Sequence, residues 1–189
     1  MLGVASVLAR TDGLYLMTNY WDHHATIFLP PEVADSIEAE RREWDPDMAN
    51  RIAAHVTLAY PQEAPHAELL IDRVREASNS LEPFRLALGD VACFETPECG
   101  VYLEVEDIDG GYRKIREQVL RPPFHSLAFP AHVTLVHALT SRRGREFWDR
   151  TICQRRIQEC AVREIAVTAF DGVRWAALRT YGLPRKLTR

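Results

Sequence analysis

The feature that most constrains this chain is a five-residue block that occurs twice. Ala54-His55-Val56-Thr57-Leu58 returns as Ala131-His132-Val133-Thr134-Leu135, 77 positions downstream. An internal repeat implies two similar structural units, and the β-branched Val and Thr in each copy favour a strand. In a strand, residues two apart project to the same face. His55 and Thr57 therefore share one face, while Val56 and Leu58 point the other way, toward packed helices. His132 and Thr134 stand opposite Val133 and Leu135 in the same manner. Two lobes with their polar faces turned inward would bring two imidazoles and two hydroxyls into one cleft.

The rest of the chain reads as alternating helix and strand around these blocks. A short β-type run at 24–29 ends at Pro30-Pro31, and Pro31 suits the first position of a helix. Val33, Ile37 and Trp44 recur at helical spacing through Pro31–Trp44, and Asp45-Pro46 closes that helix. Residues 51–60 read as a strand, 66–79 as a helix, 84–94 and 101–105 as neighbouring strands, and 112–120 as a helix. A strand over 130–139, a helix over 141–155, and a closing hairpin of 162–170 and 173–179 across the two-residue turn Asp171-Gly172 complete the reading. No linker or low-complexity segment divides the chain, so residues 1–189 are read as one domain, with 1–23 a leading strand or arm.

Composition narrows the function classes. The 189 residues are 47% hydrophobic and 26% charged, values of an ordinary globular chain rather than a disordered or membrane-spanning one. Twenty-three Lys and Arg against 27 Asp and Glu leave a net charge of −4. That balance argues against coating long nucleic acid, which needs a broad basic field. A small anionic ligand or an RNA end remains compatible. Cys93, Cys99, Cys153 and Cys160 form no zinc-type spacing, and a chain this large needs no disulfide staples. The expectation is four free thiols in a reducing compartment, with no signal peptide and a cytoplasmic location.

The paired blocks supply the parts for phosphodiester chemistry without a metal. One neutral imidazole can take a proton from an attacking oxygen while the other, protonated, gives one to the departing oxygen. Histidine suits both tasks because its ordinary pKa lies near neutrality. The threonine hydroxyls can donate hydrogen bonds to the non-bridging phosphate oxygens.

With these motifs the chain resembles the two-histidine (2H) phosphoesterase superfamily, close to its 2′-5′ RNA ligase and cyclic phosphodiesterase branch. The defining His-x-Thr/Ser pair is matched by His55-Val56-Thr57 and His132-Val133-Thr134. Ala25 through Glu32 is similar to the family's opening strand and helix start. Pro83-Phe84-Arg85-Leu86 is similar to its middle strand, and Phe129-Pro130 to the residues before its second motif. The family often continues into Phe-Leu-Gly after the first motif and Ala-Arg after the second; here the chain has Tyr60-Pro61 and Val136-His137. The resemblance spans about 25–182. It implies a two-lobed, duplicated α+β fold whose antiparallel sheets line a central cleft with helices outside. It also implies hydrolysis of 2′,3′-cyclic phosphates or 2′-5′ linkages, reversible joining of RNA ends in some members, and no metal or cofactor.

Further candidates follow from strand parity. Tyr102 lies opposite Val101, Leu103 and Val105 and would face the cleft, where its ring could stack on a base; Thr26 and Phe28 pass the same test. These three are the substrate-binding candidates. Arg142, Arg143 and Arg145 read as a solvated helix end, with an RNA backbone contact as the rival. His137 is placed on the helix-facing side with a local hydrogen bond, away from His132, and no metal site is expected among the histidines. The expected function is a metal-independent phosphodiesterase acting on an RNA end or a small cyclic nucleotide, its oligomeric state open. The rivals are a non-catalytic module holding a nucleotide or RNA end in the same cleft, and a metal-assisted hydrolase.

Overall fold

A computed structural model describes residues 23–184 except 95, 153, 155 and 156; the arm expected over 1–23 otherwise lies outside the described residues. Strand β1 (His23–Phe28) leads into α1 (Pro31–Trp44), whose buried Val33, Ile37, Arg41 and Trp44 form its inner stripe. Asp45-Pro46 ends α1 at Trp44 as expected, with Asp45 outside the helical region at φ −146° and ψ 67°. Asp45 then caps a short helix the sequence reading did not expect, α2 (Pro46–Arg51), its carboxylate accepting from Met48 N at 3.1 Å. Proline at the first position after an Asp cap starts a helix as readily as it ends one. The first motif strand, β2 (His55–Ala59), is accordingly shorter than expected.

Helix α3 (Ala67–Ser80) then leads to the long hairpin of β3 (Phe84–Cys93) and β4 (Val101–Asp107), followed by α4 (Gly111–Val119) and the second motif strand β5 (His132–Val136). The last third holds α5 (Gly144–Thr151), β6 (Gln158–Val162), β7 (Glu164–Phe170) and β8 (Trp175–Gly182). Three expectations fail here. The helix anticipated to 155 stops at Thr151, and β6 was missed because Gln158, Glu159 and Ala161 are exposed, leaving few apolar residues to announce a strand. The final hairpin also turns through four residues, not two. Asp171 N donates to Arg174 O at 3.0 Å, and Asp171 Oδ1 accepts from Val173 N and Arg174 N.

The strands form two four-stranded antiparallel sheets, ordered β2-β1-β7-β8 and β5-β4-β3-β6. Each motif strand is an edge strand, and β2 lies beside β5 where the sheets meet. The two pairings match position for position. In the first sheet Phe28 pairs with His55 and Thr26 with Thr57, with a register irregularity after Ala25. In the second Glu104 pairs with His132 and Tyr102 with Thr134, with an irregularity after Val101.

The lobes are not consecutive halves of the chain. The first sheet takes β1 and β2 from one end and β7 and β8 from the other. Helix α3 packs on it, α1 and α5 pack on the second sheet, and α4 lies between them, touching β2 of the first and β3 and β4 of the second. The helix after β1 thus supports β5, and the helix after β4 supports β2. Tyr112 Oη donates to Thr57 O at 2.9 Å, and Arg116 Nη1 to Leu58 O at 2.6 Å.

The cysteines also depart from expectation. Cys93 and Cys99 are joined as a disulfide across the β3–β4 connection. The connection folds back on itself, bringing their Cα atoms to 5.8 Å, within disulfide reach. Cys160 is buried and free, and Cys153 lies outside the described residues. The expectation of four free thiols therefore fails for Cys93 and Cys99. Among the described residues no helix is long and apolar enough to cross a membrane.

Candidate active site

Both motif strands show the same alternation of half-buried His and Thr with buried Val and Leu. Val56, Leu58, Val133 and Leu135 are sealed into the core, leaving the polar faces to meet across the cleft. One cavity of about 210 Å³ is lined by His55, Thr57, His132 and Thr134 together.

Each imidazole is oriented by its own backbone. His55 Nδ1 lies 2.8 Å from Ala53 O, and His132 Nδ1 lies 2.8 Å from Pro130 O. A carbonyl can only accept, so Nδ1 carries the hydrogen in both rings and Nε2 is left for ligand chemistry. In the neutral state Nε2 is a base; protonated, it is an acid.

Burial favours the neutral state of both rings. Burial holds His55 down to about 4, with Arg41 and His132 adding positive repulsion, against the opposing pull of Ala53 O. His132 is lowered too, first by burial and then by His137, with Pro130 O opposing. A bound anion would raise both pKa values and favour a proton on one ring.

The substrate-binding candidates separate. The Tyr102 ring lies 5.2 Å from that of His132 and 4.4 Å from Phe94, forming an aromatic corner. A second cavity of about 160 Å³ opens from His132 and Thr134 between Phe94, Tyr60 and Phe129. Phe28 presents an edge contact to His55 at 6.3 Å. Thr26 shares that face but is fully buried, and its hydroxyl donates to Val56 O at 3.2 Å, so it sits behind the site rather than in it.

His137 is a correction. It lines both cavities beside His132, because β5 ends at Val136 and strand alternation no longer governs the next residue. His137 N donates to Asp45 Oδ2 at 2.8 Å, and its Nδ1 accepts from Leu139 N, so the expected local hydrogen bond exists in a different place. Sequence reasoning also missed His24, Arg41, Tyr60 and Trp175, which line the main cavity. For His24 the signal was present: it is two residues from Thr26 and four from Phe28, on the same strand face. The others arrive through cross-lobe packing that no local pattern records. In the basic cluster, Arg143 stacks its guanidinium 4.0 Å from the Trp44 ring and donates to Glu43 O. Among the described residues no group of three or more His, Cys, Asp or Glu converges to hold a metal ion.

The model of the 2′-5′ RNA ligase superfamily matches residues 29–174, a stretch that contains both motifs. A Bacillus cytotoxicus protein named as an inferred phosphoesterase is 32% identical over 82 residues, covering 42% of this chain and 47% of that protein. The chain thus matches about half the length of this curated relative. Among solved structures, TT0787 of Thermus thermophilus is 18% identical with a TM-score of 0.60, covering 88% of this chain and 100% of that one. Escherichia coli LigT with 3′-AMP is 21% identical with a TM-score of 0.54, covering 87% and 98%. At these identities the two structures establish a shared fold. The family match rests on most of the chain and on both of its histidine motifs: the chain belongs to the 2′-5′ RNA ligase superfamily.

Proposed function

We propose that the protein is a metal-independent phosphodiesterase that opens 2′,3′-cyclic phosphates or cleaves 2′-5′ linkages on RNA ends or small nucleotides. The observation that carries this reading is the pair of imidazoles, each tied by Nδ1 to a backbone carbonyl two residues earlier, with both rings lining one cavity. The crystal structures of LigT with 3′-AMP and with phosphate, on the same fold, favour a nucleotide ligand.

In hydrolysis, one neutral imidazole takes a proton from water through Nε2 as the water oxygen bonds to phosphorus. The other, protonated, delivers its proton to the ester oxygen as the P–O bond breaks. The products are a phosphomonoester and a free hydroxyl, and the two rings have exchanged protonation states. Thr57 and Thr134 donate to the non-bridging oxygens, where charge builds. The aromatic corner of Tyr102 and Phe94 beside His132 suits the planar base.

The test is an assay in EDTA against 2′,3′-cyclic nucleotides and 2′-5′ dinucleotides, with His55→Ala and His132→Ala alongside. Turnover by the wild type and loss of at least ~10²-fold in each variant are expected, since one positioned acid or base is worth about 10²–10⁴. Tight binding without turnover would identify a holding module instead. Dependence on added divalent metal, or two active variants, would overturn the mechanism.

A further inference from the structure

The main cavity contains an imidazole that the mechanism above does not use. His24 is only 6% exposed, it lines the cavity with His55 and Thr57, and its Nε2 is buried without a hydrogen-bond partner. Its ring stacks on His55 at 5.5 Å with 30° between planes, and it leans on Trp175 at 4.3 Å. Both rings lie in the wall of that cavity. A buried ring nitrogen is ordinarily paired, so one without a partner in a cavity wall points to a group that would satisfy it.

The matched registers sharpen the point. Thr26 pairs with Thr57 as Tyr102 pairs with Thr134, so the residue two before each, His24 in one sheet and Gly100 in the other, occupies an equivalent place. On the His132 side that place is a glycine against which Phe94 and Ala138 pack, and the aromatic cavity opens there with Gly100 in its wall. On the His55 side the equivalent place is filled by an imidazole. The two sides of the cleft are therefore unlike: one accommodates a ring, the other offers a hydrogen-bonding nitrogen.

We infer that His24 Nε2 holds the attacking water on which His55 acts, making His24 a third imidazole of the catalytic site. This rests on the phosphodiesterase reading. Burial keeps His24 well below its ordinary pKa, with His55 and His23 adding to the effect, so the ring is neutral near pH 7. As neutral imidazole it hydrogen-bonds the oxygen without competing for the proton that passes between that oxygen and His55 Nε2.

The decisive variants are His24→Phe, which keeps an aromatic ring against Trp175 and His55 but removes both nitrogens, and His24→Gln, which restores a polar group. Steady-state kinetics on a 2′,3′-cyclic mononucleotide are measured beside the Kd for the nucleoside monophosphate product. His24→Phe is expected to lower kcat about tenfold, the worth of one hydrogen bond near the upper end of its usual range, and His24→Gln to recover part of it. KM for the cyclic substrate should stay within twofold, because the oxygen held belongs to the attacking water and not to the substrate. Wild-type kcat in His24→Phe would show that His24 only packs, and the inference fails while the phosphodiesterase reading stands. A fall in kcat matched by a rise in KM, unrelieved by Gln, would likewise assign it a structural role. If the wild type neither turns over nor binds any of these nucleotides, the phosphodiesterase reading fails first and takes the inference with it.

Discussion

Removing the Glu63 carboxylate should destabilise the protein more than any surface charge could. Glu63 is fully buried. Its Oε2 accepts from Tyr60 N at 2.9 Å and from Arg116 Nη1 at 3.0 Å; its Oε1 accepts from Leu127 N at 2.6 Å and from Arg116 Nη2. One carboxylate thereby ties the exit of β2 to the segment that enters β5. Glu63→Ala orphans two backbone N–H groups and strips the counter-charge from a guanidinium that is 11% exposed. Breaking a buried pair in this way costs about 3–5 kcal/mol, against a total stability of order 5–15. For a chain of this size that lowers Tm by roughly 6–20 °C, at about 2–4 °C per kcal/mol. Urea unfolding followed by circular dichroism at neutral pH would read the change as a shift in midpoint at constant slope. Arg116→Met added to Glu63→Ala should cost less than the sum of the single changes, because the uncompensated cation is gone. A loss below about 1 kcal/mol in Glu63→Ala, or strict additivity of the two, would show that the pair carries no such weight.

Activity should follow a bell-shaped pH profile: in kcat/KM the acid limb lies near 4, where His55 must lose its proton, and the alkaline limb lies below 6.5, because His132 is also lowered. The substrate's phosphate charge should move both limbs of the kcat profile upward. Stability should also depend on pH. Above 6.5 both folded and unfolded His55 are neutral; as pH falls toward 4 only the unfolded chain takes the proton, so stability drops, by about 3 kcal/mol for this one group, as urea melts at several pH values would measure. Thr57→Val and Thr134→Val keep the side-chain shape but remove the hydroxyl; each should lower kcat by about 10²–10³-fold in the cyclic nucleotide assay, the usual worth of one oxyanion donor. In Gly144→Ala the new Cβ would fall well inside contact distance of Cys99 O, so α5 must shift from the disulfide-bonded connection. A loss of about 1–3 kcal/mol is expected in the same melts.

Strand parity within β2 and β5 was legible because each block is short, regular and flanked by core residues. Val56 and Leu58 had to be buried, and that alone sent His55 and Thr57 to the opposite face. Helix α1 was equally plain, since Pro31 starts it and Val33, Ile37 and Trp44 mark its stripe. What escaped was set by partners distant in the chain. Asp45 reads as a helix end in isolation, yet it caps α2 and reaches across to His137 N and Thr140 Oγ1. That contact belongs to the end of β5, and it brings His137 into the cavity. Trp175 meets His24 only because β7 and β8 join the sheet of β1, which no periodicity in the first thirty residues could disclose. The Cys93–Cys99 bond likewise depends on how the connection folds back.

The exchange of helices between the sheets has a consequence for how the molecule can be built and broken. A fragment ending after α3 would contain His55, yet it would lack the helix behind that strand and two of the four strands of its sheet. The remaining piece, carrying His132, would lack the helix that backs its own motif. Most stabilising contacts join residues far apart in the chain, which is the pattern of slow, all-or-none assembly. Neither imidazole could then be preserved by a surviving half, and a chain cut between α3 and β3 should regain activity only when both pieces are present together.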